Sequence, residues 1–180
     1  MKRLMIMLMF LFLAPYCFAQ TAAPVPAPTL FTLSGNYAAF SGTKTTNAAV
    51  IATAAIQILP NVSVGYEHIQ VTSGTANARW ELGVVAYTRQ LSSLLGSKIA
   101  DKLLVDTSQI GVTFTAGAGK LLQPTVNRIA ETVGVHFSYP LADHISLQII
   151  GVDLLHGGVQ TGLLTTNTSE NISSGINIFF

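Results

Sequence analysis

From about residue 29 to the end of the chain, apolar and polar residues alternate, and a period of two marks β-strands whose two faces meet different surroundings. The alternation predicts eight strands, at about 29–41, 47–58, 62–70, 79–89, 107–118, 128–139, 144–155 and 171–180. The first sets Phe31, Leu33, Tyr37 and Ala39 against Thr32, Ser34 and Asn36; the second sets Val50, Ala52, Ala54 and Ile56 against Thr53 and Gln57. The fourth is the most regular, with Trp80, Leu82, Val84 and Ala86 opposite Arg79, Glu81, Gly83 and Arg89. In the last, Ile172, Ile176, Ile178 and Phe180 stand opposite Ser173, Gly175 and Asn177.

Punctuation between these segments is uneven. "LPNV" (59–62) and "PLAD" (140–143) read as tight turns, whereas 71–78 and 157–170 read as longer polar loops. The segment "QLSSLLGSKIADKLLVD" (90–106) departs from the alternation. Leu95, Ile99 and Leu103 recur there at every fourth position, which favours a turn or short amphipathic helix over an extended hairpin.

Alternation does not say which face is interior. A soluble barrel or sandwich and a lipid-embedded barrel give the same pattern with the faces exchanged. Composition separates them: only 9% of residues are charged, against roughly a quarter in a soluble domain. The polar face is built from Ser, Thr, Asn, Gln and Gly rather than Lys and Glu. Beyond residue 20 the longest apolar run is "AAVIATAAI" (48–56), far short of the roughly twenty residues that a membrane helix needs. Aromatics on the apolar face gather toward strand ends. Phe31, Phe137, Tyr139 and Phe180 fall at one rim and Tyr37, Tyr66 and Trp80 toward the other, as in the girdles of lipid-embedded barrels. The two short turns share one rim and most longer loops the other. The apolar face therefore points to lipid, strand four presenting Leu82 and Val84. Backbone groups in lipid have no water to bond, so the sheet must close on itself. The expected fold is all-β, an eight-stranded antiparallel up-and-down transmembrane β-barrel over 29–180.

The first residues change the picture only by placing it. Lys2 and Arg3 precede an apolar run, and Cys17 and Ala19 stand at the −3 and −1 positions of a cleavage site before Gln20. Residues 1–19 read as a signal peptide and "QTAAPVPAP" (20–28) as a proline-rich leader. Removing Lys2 and Arg3 turns the formal net charge from +1 to −1, so no basic patch exists for nucleic acid. Cys17 is the only cysteine, which excludes disulfides and cysteine metal sites.

The signal peptide, the eight alternating segments and the ending "GINIFF" together resemble the small eight-stranded outer-membrane β-barrel proteins of the OmpA-barrel type. The resemblance implies a porin-like envelope protein of a Gram-negative cell, residing in the outer membrane and monomeric. It further implies that Ile176, Ile178 and Phe180 form the closing signature read by the barrel-assembly machinery, and that outer-membrane lipid is the other partner.

Candidate chemistry is sparse. Glu67, Arg79, Glu81, Arg89 and Arg128 share the polar parity, which predicts a lumenal charge network, a salt-bridge plug rather than a gated path, because buried charges must pair. Arg79 is expected within reach of Glu67. Glu131 and Asp153 fall on the nominal lipid face, which requires either a rim position or a β-bulge that shifts the register. The four histidines show no metal-ligand spacing, so no metal or cofactor is expected. His136 and Ser138 share a face but lack an orienting third residue. The expected role is non-enzymatic, structural or surface-interacting through the loops. The rivals are a membrane-embedded lipid-modifying enzyme using His136 and Ser138, and a secreted soluble β-barrel binding an apolar ligand.

Overall fold

The computed structural model describes residues 31–41, 47–72, 78–96, 99, 106–123, 127–157 and 168–180. The segments 1–19 and 20–28 lie outside the described residues. The strands are β1 (Phe31–Ser41), β2 (Asn47–Leu59), β3 (Val62–Val71), β4 (Arg79–Gln90), β5 (Gly111–Leu122), β6 (Asn127–Ala142), β7 (Ile145–Gly157) and β8 (Thr168–Phe179). Each pairs antiparallel with its neighbours in chain order, and the sheet closes as a barrel. The closing ladder joins β1 to β8 from Thr32↔Phe179 to Ser41↔Glu170. It is extended by Phe31 N–H to Phe180 O at 3.4 Å and Phe180 N–H to Phe31 O at 2.9 Å. No sheet edge is left for lipid to meet. The rim that carries Phe31 and Phe180 is called here the lower rim, and the opposite one the upper rim.

At the lower rim, β2 passes to β3 through Pro60-Asn61. Asn61 takes the left-handed conformation (φ 69°) that Asn tolerates better than most residues. The connection from β4 to β5 begins with one short helix, α1 (Leu91–Leu95). Its two arms are tied by Leu91 N–H to Ile110 O at 2.8 Å and Ser92 N–H to Thr107 O at 3.1 Å. Among the described residues, the expected turn or short helix over 90–106 is met by Leu91–Leu95, and β5 starts four residues later than the alternation implied. In the same connection Asp106 Oδ1 accepts from Ser108 N–H (3.0 Å) and Oγ–H (2.5 Å), bonds that hold its carboxyl below the usual carboxylate range.

The outer wall is apolar. Leu33, Val50, Ile56, Val85, Leu147, Val152, Ile172, Ile176 and Ile178 are all exposed on it. A contiguous apolar surface of this extent marks a wall made for lipid rather than water. Among the described strand residues, the outward charges keep to its ends. Arg79, Glu81, Lys120, Glu131 and Glu170 stand toward the upper rim and Arg89 toward the lower.

Two strands depart from the expected parity. On β4, Trp80 is 1% exposed and Leu82 0%, whereas the side chain of Arg79 is 51% exposed. Trp80, Leu82 and Val84 therefore point into the lumen, and Arg79, Glu81 and Arg89 point out, the reverse of the sequence expectation. The cause is register. Opposed residues share a face, and Glu67 pairs with Leu82, not with Glu81. The outward face of β4 then reads Arg79, Glu81, Gly83, Val85, Tyr87, Arg89, polar at both ends and apolar or small between.

On β7, Gln148 pairs with Gly175 and Gly151 with Ser173, so β7 has one more residue than β8 across this interval. The extra residue is a β-bulge at Ile149-Ile150, both of which stay on the outer wall. Beyond it the parity flips, and Asp153 turns inward. Glu131, on β6, faces out opposite Ala118 and His156 in the upper part of the wall.

The interior is packed with side chains and is divided by height. The upper half holds Ala49, Ile69, Val71, Trp80, Leu82, Leu121, Ala130 and Leu155 in one apolar cluster. The lower half is polar, with Asn36, Glu67, Thr115, Ser146, Gln148, Asp153 and Ser173 buried.

Candidate functional site

Below the apolar cluster, residues from five strands meet in the lumen. β6 and β7 place His136 Nε2 2.7 Å from Asp153 Oδ1. β8 adds Asn171, whose amide nitrogen donates to Asp153 Oδ2 at 3.4 Å. Gln148 Nε2 donates to Ser173 Oγ at 2.9 Å, and the Gln148 side chain also hydrogen-bonds His136. Toward the lower rim, Asn177 Nδ2 donates to Ser146 Oγ at 3.1 Å. β2 and β3 supply Thr53 Oγ1, which donates to Glu67 Oε2 at 3.4 Å. Glu67 is buried in the same lumen and stands in the field of both Asp153 and His136.

Two glycines make this constellation possible. A Cβ on Gly134 would overlap Asp153 Oδ1 and stand 2.7 Å from Thr115 Oγ1. One on Gly151 would stand 2.6 Å from Gln148 Nε2 and 2.7 Å from Ser173 Oγ. Any larger residue at either position would push the polar chain out of place.

Of the five residues expected in a lumenal charge network, Glu67 is there. Arg128 has the inward parity, half-buried at the upper lip and paired with the buried Leu121. Arg79, Glu81 and Arg89 are on the outer wall. Arg79 Nε lies 3.4 Å from Glu81 Oε1, a pair made outside the barrel. Arg89 Nε donates to Tyr87 Oη at 2.5 Å, and its guanidinium carbon lies 5.6 Å from the Tyr87 ring centroid. The expected Arg79–Glu67 contact is not formed, because the β3–β4 register sends the two to opposite faces. Glu67 accepts a hydrogen bond from Thr53 instead and lies in the field of Asp153 and His136, neither of which was expected near it.

Asp153 was legible only as an anomaly of parity, and its sequence signal is the adjacent pair Ile149-Ile150, two apolar residues in succession within an alternating strand. Of the four histidines, His136 faces the lumen, while His68 and His156 face outward and His144 sits in the lower turn. The Ser138–His136 pairing gives way to another arrangement: His136 is engaged by Asp153 and Gln148, and Ser138 Oγ lies against Gly111.

On the outer wall, Phe31 and Phe180 stack at the lower rim with ring centroids 6.2 Å apart. Tyr139 is exposed and Phe137 half-buried on the same wall, and Tyr37 and Tyr66 are exposed higher up. Trp80 is the exception among the expected interface aromatics, lying in the lumen. Ile176, Ile178 and Phe180 are exposed along one outward row.

No family model matches the sequence, and no curated protein matches it either. Solved structures do. Neisserial surface protein A superposes with a TM-score of 0.50 at 12% identity, covering 83% of this chain and 96% of that one. A barrel from the de novo design of transmembrane β-barrels superposes with a TM-score of 0.52 at 11% identity, covering 86% of this chain and 98% of the design. At such identities the likeness speaks for fold alone. With an outer wall apolar between charged ends and a sheet that closes on itself, this chain has the fold of the small eight-stranded transmembrane β-barrels.

Proposed function

We propose that the protein is a non-enzymatic integral outer-membrane barrel, exported by a signal peptide cleaved before Gln20, which acts as a structural or surface-interacting element through its upper loops. The observation that carries this reading is the outer wall, exposed and apolar at mid-height with its charges confined to the two ends. Such a wall needs lipid. The upper lumen supports a closed body: Trp80, Leu82, Ile69, Leu121 and Leu155 fill it with apolar side chains, an arrangement that offers ions no path.

The rival enzymatic reading has less to stand on. Deacylation would need a nucleophile presented to lipid, whereas His136 lies inside and is already bonded to Asp153 and Gln148. The lower rim is read as periplasmic and the upper as extracellular. Ile176, Ile178 and Phe180 then form the strand that the assembly machinery recognises.

Expression with membrane fractionation, heat-modifiable gel mobility and planar-bilayer recording tests the proposal. The expected result is a heat-modifiable protein in the outer-membrane fraction that adds no conductance to the bilayer. A water-soluble monomer would sink the reading, and steady single-channel currents would sink its closed lumen. Removing Phe180 is expected to lower outer-membrane levels in cells while leaving refolding into detergent intact. Unchanged levels would remove the recognition role.

A further inference from the structure

The charges of the described strands are not spread evenly around the barrel. Arg79, Lys120 and Arg128 all stand at the upper rim, on the consecutive strands β4, β5 and β6, whereas Arg89 stands at the lower rim. Arg128 has the inward parity, but Arg79 and Lys120 share the outer wall. Arg79 pairs with Leu122 and Glu81 with Lys120, so the two cations are diagonal neighbours on adjacent strands. Such a diagonal spans about 7–8 Å, a distance that long side chains bridge.

Further round the same belt the sign reverses. Glu131 on β6 faces Ala118 and His156, and Glu170 on β8 faces Ser41 and Leu154. From β6 to β8 the described outward residues include these two carboxylates and neither Lys nor Arg. Within the basic sector Glu81 is the one carboxylate, and its Oε1 lies 3.4 Å from Arg79 Nε. That contact engages one corner of the guanidinium, which carries two further amino groups in a planar fork. Lys120 is exposed and has no ion-pair partner among the described residues. His68, half-buried on β3, lies across from Glu81 on its other side.

Exposed ion pairs contribute little to stability, so folding does not account for this basic sector. Its depth does. Just below it the wall turns apolar or small, with Gly83, Val85 and Ala118 exposed. Cations at that boundary lie level with lipid headgroups, where negative lipid charge attracts them. An arginine fork matches phosphate oxygens, and a lysine adds a point charge beside it.

We propose that Arg79 and Lys120 form a docking site for the phosphate of one anionic lipid headgroup at the upper membrane interface. Glu81 orients Arg79 through Nε, and His68 borders the site. The acidic sector from β6 to β8 repels the same headgroup, so one lipid is seated on one side of the barrel rather than a ring around it. This site rests on the membrane-barrel reading above.

The probe is dioleoyl phosphatidic acid, a phosphate-monoester lipid, with dioleoyl phosphatidylcholine as the zwitterionic comparison. Each is added to the folded protein in neutral detergent, and native mass spectrometry counts the lipids retained. The expected result is one phosphatidic acid per barrel, held at least about tenfold more tightly than phosphatidylcholine by two basic residues. Arg79→Gln and Lys120→Gln, both checked for folding by heat-modifiable mobility, should each weaken it about fivefold, the scale of one basic residue near an anionic surface. Arg89→Gln, at the lower rim, should leave it unchanged. Equal retention of the two lipids, an equal loss in Arg89→Gln, or displacement by an equal concentration of inorganic phosphate would each overturn the site. Those outcomes, in a heat-modifiable protein, would leave the barrel reading standing; a water-soluble monomer would remove both.

Discussion

The two halves of the lumen solve the same problem in different ways. Both must fill a narrow cylinder that has too little room for bulk water. The upper half fills it with Trp80, Ile69, Leu82, Leu121 and Leu155, where shape alone matters and any rotation of a side chain is forgiven electrostatically. The lower half fills it with Ser146, Gln148, His136, Asp153, Asn171 and Ser173, tied side chain to side chain by hydrogen bonds that depend on the chemistry at each position. The upper half is therefore expected to carry stability through volume, and the lower half to carry specificity through pairing. A polar interior is thus not a requirement of the fold. What the fold requires is a filled interior and an outer wall suited to lipid.

The contrast can be broken most severely at Trp80. Trp80→Ala is expected to cost about 3–5 kcal/mol, because it opens a large cavity in packed surroundings, as read by equilibrium unfolding in lipid. A cost near zero would return Trp80 to the outer wall. Its fluorescence gives the same test without a substitution: emission should resist both a water-borne quencher and brominated acyl chains. Gly134→Ala attacks the lower half. It should cost about 1–3 kcal/mol by overpacking against the Asp153 carboxylate, as read by equilibrium unfolding in lipid.

Pairing is measured by combining His136→Gln with Asp153→Asn, for which a coupling of about 0.5–3 kcal/mol is expected from partners in direct contact. Additive effects would reduce the lower half to filler like the upper. The smallest effect is expected outside both halves. Arg79→Ala should change stability by no more than about 1 kcal/mol, the scale of exposed ion pairs, and should be additive with Glu67→Gln. Strong coupling between those two would reverse the orientation of β4.

How much of this was readable in advance depends on what set each feature. Closure, strand number and the outward rows of Val50, Ile56, Val133 and Ile176 follow from composition and from a period of two. The orientation of β4 does not, because both of its faces are plausible in lipid. Its outward face is charged only at the ends, and its inward face is apolar because it meets Ile69 and Leu121. The deciding quantity is the register across the 72–78 connection, which pairs Gln70 with Arg79 and thereby opposes residues of unlike parity. The lumenal site was half visible. Glu67 was identified as an interior acid, but the Asp153–His136 pair whose field it feels comes from strands distant in sequence and shares its lumen only through barrel closure.

The doubled isoleucine at 149–150 gives β7 a constraint that no single side chain conveys. Because the chain below the bulge and the chain above it are out of phase by one residue, the strand carries one residue more than either neighbour across this interval. Deleting one of the two isoleucines would leave composition nearly intact. It would also remove the bulge and leave a plain alternation, Gln148 inward, one isoleucine outward and Gly151 inward, so that Asp153 and Leu155 stay in the lumen and Val152 and Leu154 stay on the outer wall. Natural or engineered variation should therefore admit the loss of one isoleucine here more readily than the loss of one residue in a regular stretch such as 151–155, where the side chains that follow would turn to the opposite face.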